Sequence, residues 1–457
     1  MRALLPRKEN NRIPHVYTYG TSTNTGAPGP SHLRTWESNA ASATTRWVPQ
    51  ASILRPGSRD VRAATCTSYI ALLALTLLAL TTTACRPKAF PTYPANYREY
   101  AYVANSGSNT VSIYDIVNVR LDREIAVGQH PVAIASSPTR NEIYVVNSGN
   151  SGAFGSLSVI NAEENAVVAT IPLRRNPVAL ALSADGKFAY AANSGSASIS
   201  LIDLAGRREI AQIPAGADPA DVVLSPDGFT LAVANSAPGA VTLIDPETRG
   251  VRAIIPGCPG ATGLVILPDS SKLFAACSAG HQVMAIALAG PARPTPTQRN
   301  PTHPGQPDRA ETLLDVGHGP IHLALKPDGG ELFVLNSLSD TVSEVVTSTN
   351  DVGGAYTIGD MPVSGLVSAD NTILYVANLH SQVVTLYSIN DGQIMQSHAN
   401  VGGGPAALAF ASNGYLLLVV DSTSGDLAVV RTAGPSLFTI LPAGKNPTAI
   451  TVKSFKL

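Results

Sequence analysis

The chain has 457 residues, of which 14% are charged, and its 38 glycines and 34 prolines make it rich in turn-forming residues. With 44% hydrophobic residues and so little charge, the sequence is not that of an intrinsically disordered chain. Its composition favours many short β-strands. The net charge of −1 provides no global attraction to nucleic acid, so we expect no nucleic-acid partner.

The first 62 residues differ in composition from the rest of the chain. Residues 1–62 carry nine Arg or Lys and three acidic residues, are rich in Ser, Thr, Asn and Pro, and have no hydrophobic period. This composition predicts a disordered basic leader. Translation from Val61 is an alternative start, because a leader of 62 residues ahead of an export signal is unusual.

Residues 63–84 form an uncharged segment around the apolar run Tyr69–Leu80, with three arginines in the eight residues before it. This layout is typical of a secretory signal peptide, and the run is short for a spanning helix, which needs about 20 apolar residues. The end of the segment resembles a bacterial lipobox, although Thr82 stands where lipoboxes favour Leu, Ile or Val. We therefore predict lipidation at Cys85 and export to the periplasm or cell surface, anchored to the membrane through Cys85. An uncleaved anchor or ordinary cleavage are the alternatives.

After a tether, residues 85–98, a phrase such as Tyr102-Val-Ala-Asn105 recurs along residues 99–457. The last residues of the eight copies are Asn105, Asn147, Asn193, Asn235, Cys277, Asn336, Asn378 and Asp421, at intervals of 42, 46, 42, 42, 59, 42 and 43. A period near 42 is that of a propeller blade. We interpret the repeated Asn as a structural residue that caps the connection after the second strand through hydrogen bonds to backbone.

Each unit divides into four short strands, named A to D, so the fold class is all-β: a β-propeller of eight four-stranded blades, with seven as the fallback. Strand A begins at a Pro, and a turn such as Ser225-Pro-Asp-Gly228 leads to strand B. The first unit has no strand A before Tyr102, and the last strand A, from Pro447, has no strand B after it. The C-terminal strand should therefore close the ring.

These motifs resemble the YVTN β-propeller repeat family over about residues 100–457. The resemblance implies an exported, surface or periplasmic propeller, and seven blades are that family's norm. Related propellers include lactonases and cytochrome-d1-like domains. The absence of Trp after residue 62 argues against WD repeats and against the Trp-docked blades of quinoprotein dehydrogenases.

Exceptions to the repeat mark the candidate site, because a residue present in every unit cannot be a unique catalyst. Two residues after the opening Pro, the units read Ala133, Ala179, Asp221, Ala261, His322, Ser364, Ala407 and Ala449. Asp221 and His322 break this series of small residues. The connections between strands D and A add His130, Arg174, Arg175, Asp218, His318, Asp360 and Lys445. Converging Asp, His and Arg side chains in a concavity predict a ligand pocket at the channel mouth; solvated loops and a channel ion pair are the plain alternative.

Asp218, Asp221, His318 and His322 are also the alternative ligands of a divalent metal, although no spacing motif supports a metal site. We otherwise predict no metal and no cofactor, since the chain lacks a Gly-x-Ser-x-Gly elbow, a Walker loop and a Cys-x-x-Cys-His haem motif. The insertion at residues 289–310 is Pro-rich and predicts a flexible connection between strands C and D.

Cys258 and Cys277 are the cysteines of the propeller, and both belong to one blade. Export would expose them to oxidising conditions, in which a disulfide persists. The register of strands A and B opposes the pairing, because it places Cys277 opposite residues near Gly263. A disulfide and two buried thiols both remain open.

Two functions follow from this reading. The first is an exported, lipid-tethered binding or scaffold module that uses its channel-mouth face for an unidentified protein or small molecule of the cell envelope, as a monomer. The second is a lactonase-like hydrolase or metal-dependent enzyme with its site at the same mouth. Convergence of three or more carboxylate or His groups would favour the enzyme.

Overall fold

The computed structural model describes residues 91–290, 307–396 and 398–457. The predicted leader, the signal segment and Cys85 lie outside the described residues, as does the tether up to residue 90. The described chain belongs almost entirely to a unit spanning Thr92–Leu457. No helix among these described residues is long and apolar enough to cross a membrane.

The structure consists of strands with one short 3-10 turn, Ser194–Ser196, within the described residues. The first strands are β1 Tyr97–Asn105, β2 Thr110–Asp115, β3 Arg120–Ala126, β4 Pro131–Ser136, β5 Glu142–Asn147, β6 Phe154–Asn161, β7 Ala166–Arg175, β8 Pro177–Leu182, β9 Phe188–Asn193, β10 Ser198–Asp203, β11 Arg208–Pro214, β12 Pro219–Leu224, β13 Leu231–Asn235, β14 Ala240–Asp245, β15 Gly250–Pro256 and β16 Ala261–Ile266. The remainder are β17 Lys272–Cys277, β18 Gln282–Ala287, β19 Arg309–Asp315, β20 Pro320–Leu325, β21 Glu331–Asn336, β22 Thr341–Val346, β23 Asp351–Thr357, β24 Pro362–Val367, β25 Ile373–Asn378, β26 Val383–Ser388, β27 Gln393–Ile394, β28 Ala399–Asn400, β29 Pro405–Phe410, β30 Leu416–Asp421, β31 Asp426–Arg431, β32 Ser436–Pro442 and β33 Pro447–Lys456.

These strands form eight antiparallel sheets, so the prediction of an eight-bladed β-propeller is confirmed. We number the blades in chain order, from blade 1, which contains β1–β3 and β33, and blade 2, which contains β4–β7, to blade 8, which contains β29–β32. Blades 2–8 take their strands in sequence order. In blade 7, which begins at β24, strand D is split into β27 and β28, which both pair with β26. The eight A strands contact one another in a closed ring, each against the A strand of the next blade. They line the central channel.

Burial follows the order of strands from the channel outward. Strand B is almost wholly buried, as in β5, whereas strand D is largely exposed, as in β3. The apolar core clusters each draw on two successive blades; one joins Val233 of blade 4 to Tyr190 of blade 3. Stability therefore comes from stacking each blade on the next, as in other repeat architectures that bury a shared core.

The last strand closes the ring, as the sequence predicted. Strand β33 pairs antiparallel with β1 from Tyr97 opposite Lys456 to Asn105 opposite Pro447. Blade 1 thus takes its strand A from the C-terminus and its other three strands from the N-terminal part. Just before β1, the ring of Tyr93 stacks on Tyr97 with centroids 5.0 Å apart, and the hydroxyl of Tyr93 accepts a hydrogen bond from Asn413 in the A–B turn of blade 8.

Each strand A carries a β-bulge near its start. In blade 4, Pro219 pairs with Asn235 and Asp221 pairs with Ala234, so Ala220 is the extra residue. The same shift occurs between Pro320 and His322 in blade 6. Bulges re-aim side chains at the rims of β structures, and here they act on the residues at the channel mouth.

Ring closure generates a test. Deletion of residues 446–457 removes strand A of blade 1 and exposes the edge of β1, so we expect a large fall in the melting temperature of the whole propeller. Deletion of Leu457 alone, which lies beyond β33, is the control and should change little. An unchanged melting temperature in the longer deletion would contradict closure by this strand.

Candidate functional site at the channel mouth

The face that carries the D–A and B–C connections is organised by one residue before each strand A, here called the left-handed position. Its φ lies between 48° and 71° in all eight blades. The eight residues are His130, Asn176, Asp218, Gly260, Gly319, Met361, Gly404 and Asn446. Each carbonyl accepts a hydrogen bond from the N–H that follows the last residue of strand B, as from Ser148 to His130 at 2.9 Å. This bond ties the two connections of every blade together.

The left-handed position explains two of the predicted site residues. Asn, Asp and His are several-fold enriched among non-glycine residues with positive φ, so Asp218 and His130 suit the backbone there. The carboxylate of Asp218 also accepts a hydrogen bond from Ser236 Oγ at 2.7 Å, which keeps it within its own blade. His130 is exposed.

One residue earlier lies the rim position, whose side chains do not repeat. It is occupied by Gln129, Arg175, Ala217, Pro259, His318, Asp360, Gly403 and Lys445, and all except Gly403 are exposed. Four predicted site residues therefore share one structural position in four blades: Arg175, His318, Asp360 and Lys445. The backbone repeats around the ring while the chemistry changes at every step.

Rim side chains meet residues of the neighbouring B–C connections. The ring of His318 stacks on His281 with centroids 4.5 Å apart, and His281 Nδ1 accepts a hydrogen bond from Gly319 N–H at 3.2 Å. The imidazole of His380 lies 3.2 Å from the carboxylate of Asp360. Both pairs lie on the candidate face and present polar atoms to solvent.

Arg174 does not belong to the rim. It stands three residues before strand A of blade 3, a place that six other blades give to Gly, and it pairs with Glu209 at 2.8 Å. Glu209 in turn accepts a hydrogen bond from Ser200 Oγ. The structure therefore gives Arg174 a contact between the D strands of blades 2 and 3.

Asp221 bridges two blades in the channel wall. Its Oδ1 accepts from Val222 N–H at 2.8 Å, and its Oδ2 accepts from Leu264 N–H at 3.0 Å on strand A of blade 5. Burial raises the pKa of this carboxyl to about 6, against the opposing effect of the two backbone hydrogen bonds. Asp221 is thus poised to change charge between pH 5 and 7.

His322 makes the corresponding contact two blades further on. Its Nδ1 accepts from Gly365 N–H at 3.3 Å on strand A of blade 7, which leaves the proton of a neutral ring on Nε2. Burial lowers the pKa of the imidazole to about 4. No partner for Nε2 occurs among the described residues, so a neutral N–H donor is available at the channel wall.

Blade 5 corrects the predicted ring of small residues. Strand A begins at Ala261, which pairs with Cys277 as Pro320 pairs with Asn336, so it does not begin at Pro259. The residue equivalent to Asp221 and His322 is therefore Gly263, not Ala261. A Cβ at Gly263 would lie 2.9 Å from the carbonyl oxygen of Ile321, so only Gly fits beside blade 6. Asp221 and His322 flank a position without a side chain.

The alternative metal ligands do not assemble. Within the described ranges, no group of three or more His, Cys, Asp or Glu side chains could hold a metal ion. Asp221 and His322 bond to backbone of their neighbouring blades, whereas Asp218 bonds to Ser236 and His318 stacks on His281. These four side chains have four separate environments.

The repeated Asn bonds differently from the sequence interpretation. Its Nδ2 donates mainly to a hydroxyl on strand C, as from Asn235 to Thr242 Oγ1 at 2.8 Å and from Asn193 to Ser200 Oγ at 2.9 Å. Bonds to backbone are added in blades 2 and 3, for example to Ser198 O. The hydroxyl residues lie on strand C, which pairs with strand B, so their side chains come within hydrogen-bonding distance of the Asn amide.

Cys258 and Cys277 form a disulfide, with Cα atoms 4.7 Å apart. Cys277 takes the place of the repeated Asn, and Cys258 takes the place of the Gly three residues before strand A. In blade 4 the corresponding pair is Gly216 and Asn235, where a Cβ on the Gly would lie 3.0 Å from the amide. The two backbones are neighbours in every such blade, which answers the objection from strand register.

A shallow cavity of about 290 Å³ lies on the same face at blade 2, between the D–A connection that leads into this blade and the blade's own B–C loop. Gln129, Asn150 and Ser156 contribute polar atoms, and Phe154 is 63% exposed. The guanidinium of Arg175 lies 5.4 Å from the centre of the Phe154 ring. The 46-residue interval between Asn147 and Asn193 is the sequence signal for this longer loop.

Comparison with known proteins supports the fold. No family model and no curated protein sequence matches the chain. Among solved structures, the chain resembles the dihydro-heme d1 dehydrogenase NirN, with a TM-score of 0.59 and 15% identity over 81% of this chain and 78% of NirN. A candidate 6-phosphogluconolactonase from Bacteroides uniformis gives a TM-score of 0.53 and 15% identity over 78% of this chain and 99% of that protein. Hydrazine synthase of Kuenenia stuttgartiensis gives a TM-score of 0.50 and 20% identity over 66% of this chain and 96% of that protein. At these identities the likeness concerns the fold alone.

His322 should titrate abnormally. With its pKa lowered to about 4, the ring should stay neutral at pH 5.5, where an unperturbed histidine is largely protonated. Between pH 6.5 and 4 the unfolded chain binds a proton that the folded chain does not, so this residue lowers stability as the pH falls through that window. NMR titration of the imidazole resonances, assigned with His322→Gln, measures the midpoint. A midpoint near 6.5 would refute the burial argument.

The disulfide should stabilise the propeller by about 3 kcal/mol, as the chain-entropy model gives for a loop of this size. We expect reductant to shift the denaturant midpoint of the wild-type chain downward. The variant Cys258→Gly/Cys277→Asn restores the pair found in other blades, and its denaturant midpoint should not change when reductant is added. Equal midpoints for wild type with and without reductant would show that the bond contributes nothing.

Proposed function

We propose that this protein is an exported, lipid-tethered binding module that recognises its ligand through the rim and channel mouth. The observation that carries the proposal is the rim position: eight equivalent, mostly exposed sites that differ in charge, size and polarity on a backbone that repeats. Residues of a purely structural ring would repeat along with the backbone. Varied side chains on a rigid scaffold are how loop-bearing folds build recognition surfaces.

The channel beneath the rim adds directional polar groups. The strand-A residues with ionisable side chains are Asp221, His322, Lys453 and Lys456, and the rest of the wall is largely apolar or small. An apolar wall with a few placed polar groups is the usual composition of a small-molecule site. A neutral imidazole donor and a carboxyl group on the same channel wall, with one blade between them, suit a polar, uncharged ligand or the end of a peptide.

Export is supported by three features. The apolar run at residues 69–80 follows basic residues and leads to Cys85, which is the arrangement of a lipoprotein signal. The repeat phrases resemble the YVTN propellers, for which export is the norm. The disulfide between Cys258 and Cys277 belongs to oxidising compartments.

A lactonase-like hydrolase is the second candidate, favoured by the unpartnered Nε2 of His322. The Nε2–H of the neutral imidazole could donate a hydrogen bond to a substrate carbonyl, and a carboxyl group of raised pKa could serve as an acid or a base. The variants His322→Gln and Asp221→Asn distinguish the candidates: a lactone-hydrolysis screen should find no activity in the wild-type chain if the protein only binds. Activity that is lost in both variants would favour the enzyme. Metal analysis of the purified protein completes this comparison.

Photo-crosslinking in intact cells tests the binding face. A crosslinking amino acid at the rim residues Asp360 or Lys445 should capture a ligand, whereas one at Asp185 or Asp328, in A–B turns of the opposite face, should not. Ala at rim residues is a safe replacement because Ala217 occupies that position in blade 4. Capture from both faces alike, or from the A–B face only, would contradict recognition through the rim.

Intact-mass analysis of the membrane-derived protein tests the tether. We expect a chain that begins at Cys85 with an added lipid mass. Substitution of Cys85 by Ser should release the protein from the membrane fraction without changing the melting temperature of the propeller. A mature chain that retains residues 1–60 would rule out cleavage at Cys85.

A further inference from the structure

Blade 8 departs from the other blades at the end of strand B. In blade 1, Asn105 Nδ2 donates to Thr110 Oγ1 at 3.1 Å, and Ser108 Oγ lies 2.8 Å from the same hydroxyl. Blade 6 repeats the arrangement with Asn336, Ser339 and Thr341, at 3.1 and 2.9 Å. The spacing of these three residues is identical in the two blades.

In blade 8 the same three positions are Asp421, Ser424 and Asp426. The amide donor of Asn and the hydroxyl of Thr are both replaced by carboxylates, and strand C offers Ala428 where six other blades have a hydroxyl. Two acceptors thus face each other where a donor and an acceptor face each other elsewhere. A buried arrangement of this kind costs free energy unless a positive species joins it.

The two carboxyl groups are short of partners. Asp421 is wholly buried, and its Oδ2 accepts from Gly402 N–H at 2.9 Å. Oδ1 of Asp421 and Oδ1 of Asp426 are both buried without a hydrogen-bond donor among the described residues; the Oδ1 of the repeated Asn is in the same state in six other blades, so the orphaned oxygen peculiar to blade 8 is that of Asp426. Burial and the neighbouring Asp426 raise the pKa of Asp421 to about 8. The charged group that acts on Asp421 is therefore a like charge.

The oxygens converge on one small volume above Gly402. The place that a Cβ on Gly402 would occupy lies 2.5 Å from Ser424 Oγ, 2.8 Å from Asp421 Oδ2 and nearer still to Asp426 Oδ1. In blade 1 the equivalent place at Gly444 is faced by Ser108 Oγ at 2.5 Å and by the donor Asn105 Nδ2 at 2.6 Å. The volume is therefore surrounded by oxygen atoms in blade 8, whereas in blade 1 an amide nitrogen faces it.

We propose that Asp421 and Asp426, with Ser424 Oγ, bind one hard divalent cation such as Ca²⁺ at the rim of blade 8. Carboxylate and hydroxyl oxygens are the ligands that Ca²⁺ takes, and a dication neutralises both carboxylates. The ion replaces the hydrogen-bond donor that the repeat supplies elsewhere. It would join the end of strand B at Asp421 to the B–C connection at Ser424 and to strand C at Asp426, beside Gly402, whose N–H already donates to Asp421.

The test compares the full chain with a variant that restores the pattern of blade 1. Protein freed of metal with EDTA is melted at pH 7.5 during titration with CaCl₂, and binding is measured separately by calorimetry. We expect one site per chain and a melting temperature that rises with Ca²⁺ concentration. Asp421→Asn/Asp426→Thr should lose at least 10-fold in Ca²⁺ affinity and show no calcium-dependent rise, while melting no lower than the metal-free wild type.

Asp185→Asn is the matched control, since it removes one exposed carboxylate from an A–B turn and should keep the full calcium response. If the double variant does not fold, Asp426→Asn alone replaces it in the calcium titration, because Asn has nearly the shape of Asp and removes one of the two negative charges. A wild-type chain that binds no Ca²⁺ and melts at the same temperature with and without it overturns the proposal. In that event a shared proton, not a cation, holds the pair.

Discussion

Each blade of this propeller depends on one backbone hydrogen bond, from the N–H after strand B to the carbonyl of the left-handed residue before strand A. Because only backbone atoms take part, the bond survives changes of side chain on either side of it. The left-handed residue is restricted to types that tolerate positive φ. Its neighbour at the rim has no such restriction, and this freedom permits the varied surface on which the proposed function rests.

Blades 5 and 8 show how the same junction is secured when the usual Asn is absent. Blade 5 substitutes a covalent bond and also loses the hydroxyl on strand C, where Met284 pairs beside Ala275 in the apolar core. Blade 8 substitutes a second carboxylate. Both changes come in pairs, which indicates that the junction is a coupled unit in which one replacement requires another.

The sequence predicted the blade count, the strand order and the closing strand, because a period near 42 and the terminal half-units determine them. It misplaced strand A in blade 5, where Pro259 precedes the strand and lies within the connection held by the disulfide. It could not show that Asp218 and His130 occupy the left-handed position, because positive φ cannot be read from a single residue type. The hydrogen bonds of Asp221 and His322 to the next blade were equally invisible, since they depend on a bulge that re-aims the third residue of each strand A.

The stacking of Tyr93 on Tyr97 brings the N-terminal chain to the A–B side of the ring, next to the turn that holds Asn413. Cys85 is eight residues before Tyr93, a reach of at most about 28 Å even when the chain is fully extended. A lipid at Cys85 would therefore hold the A–B side close to the bilayer. The channel mouth, on the opposite face, would then be the side of the propeller farther from the anchor.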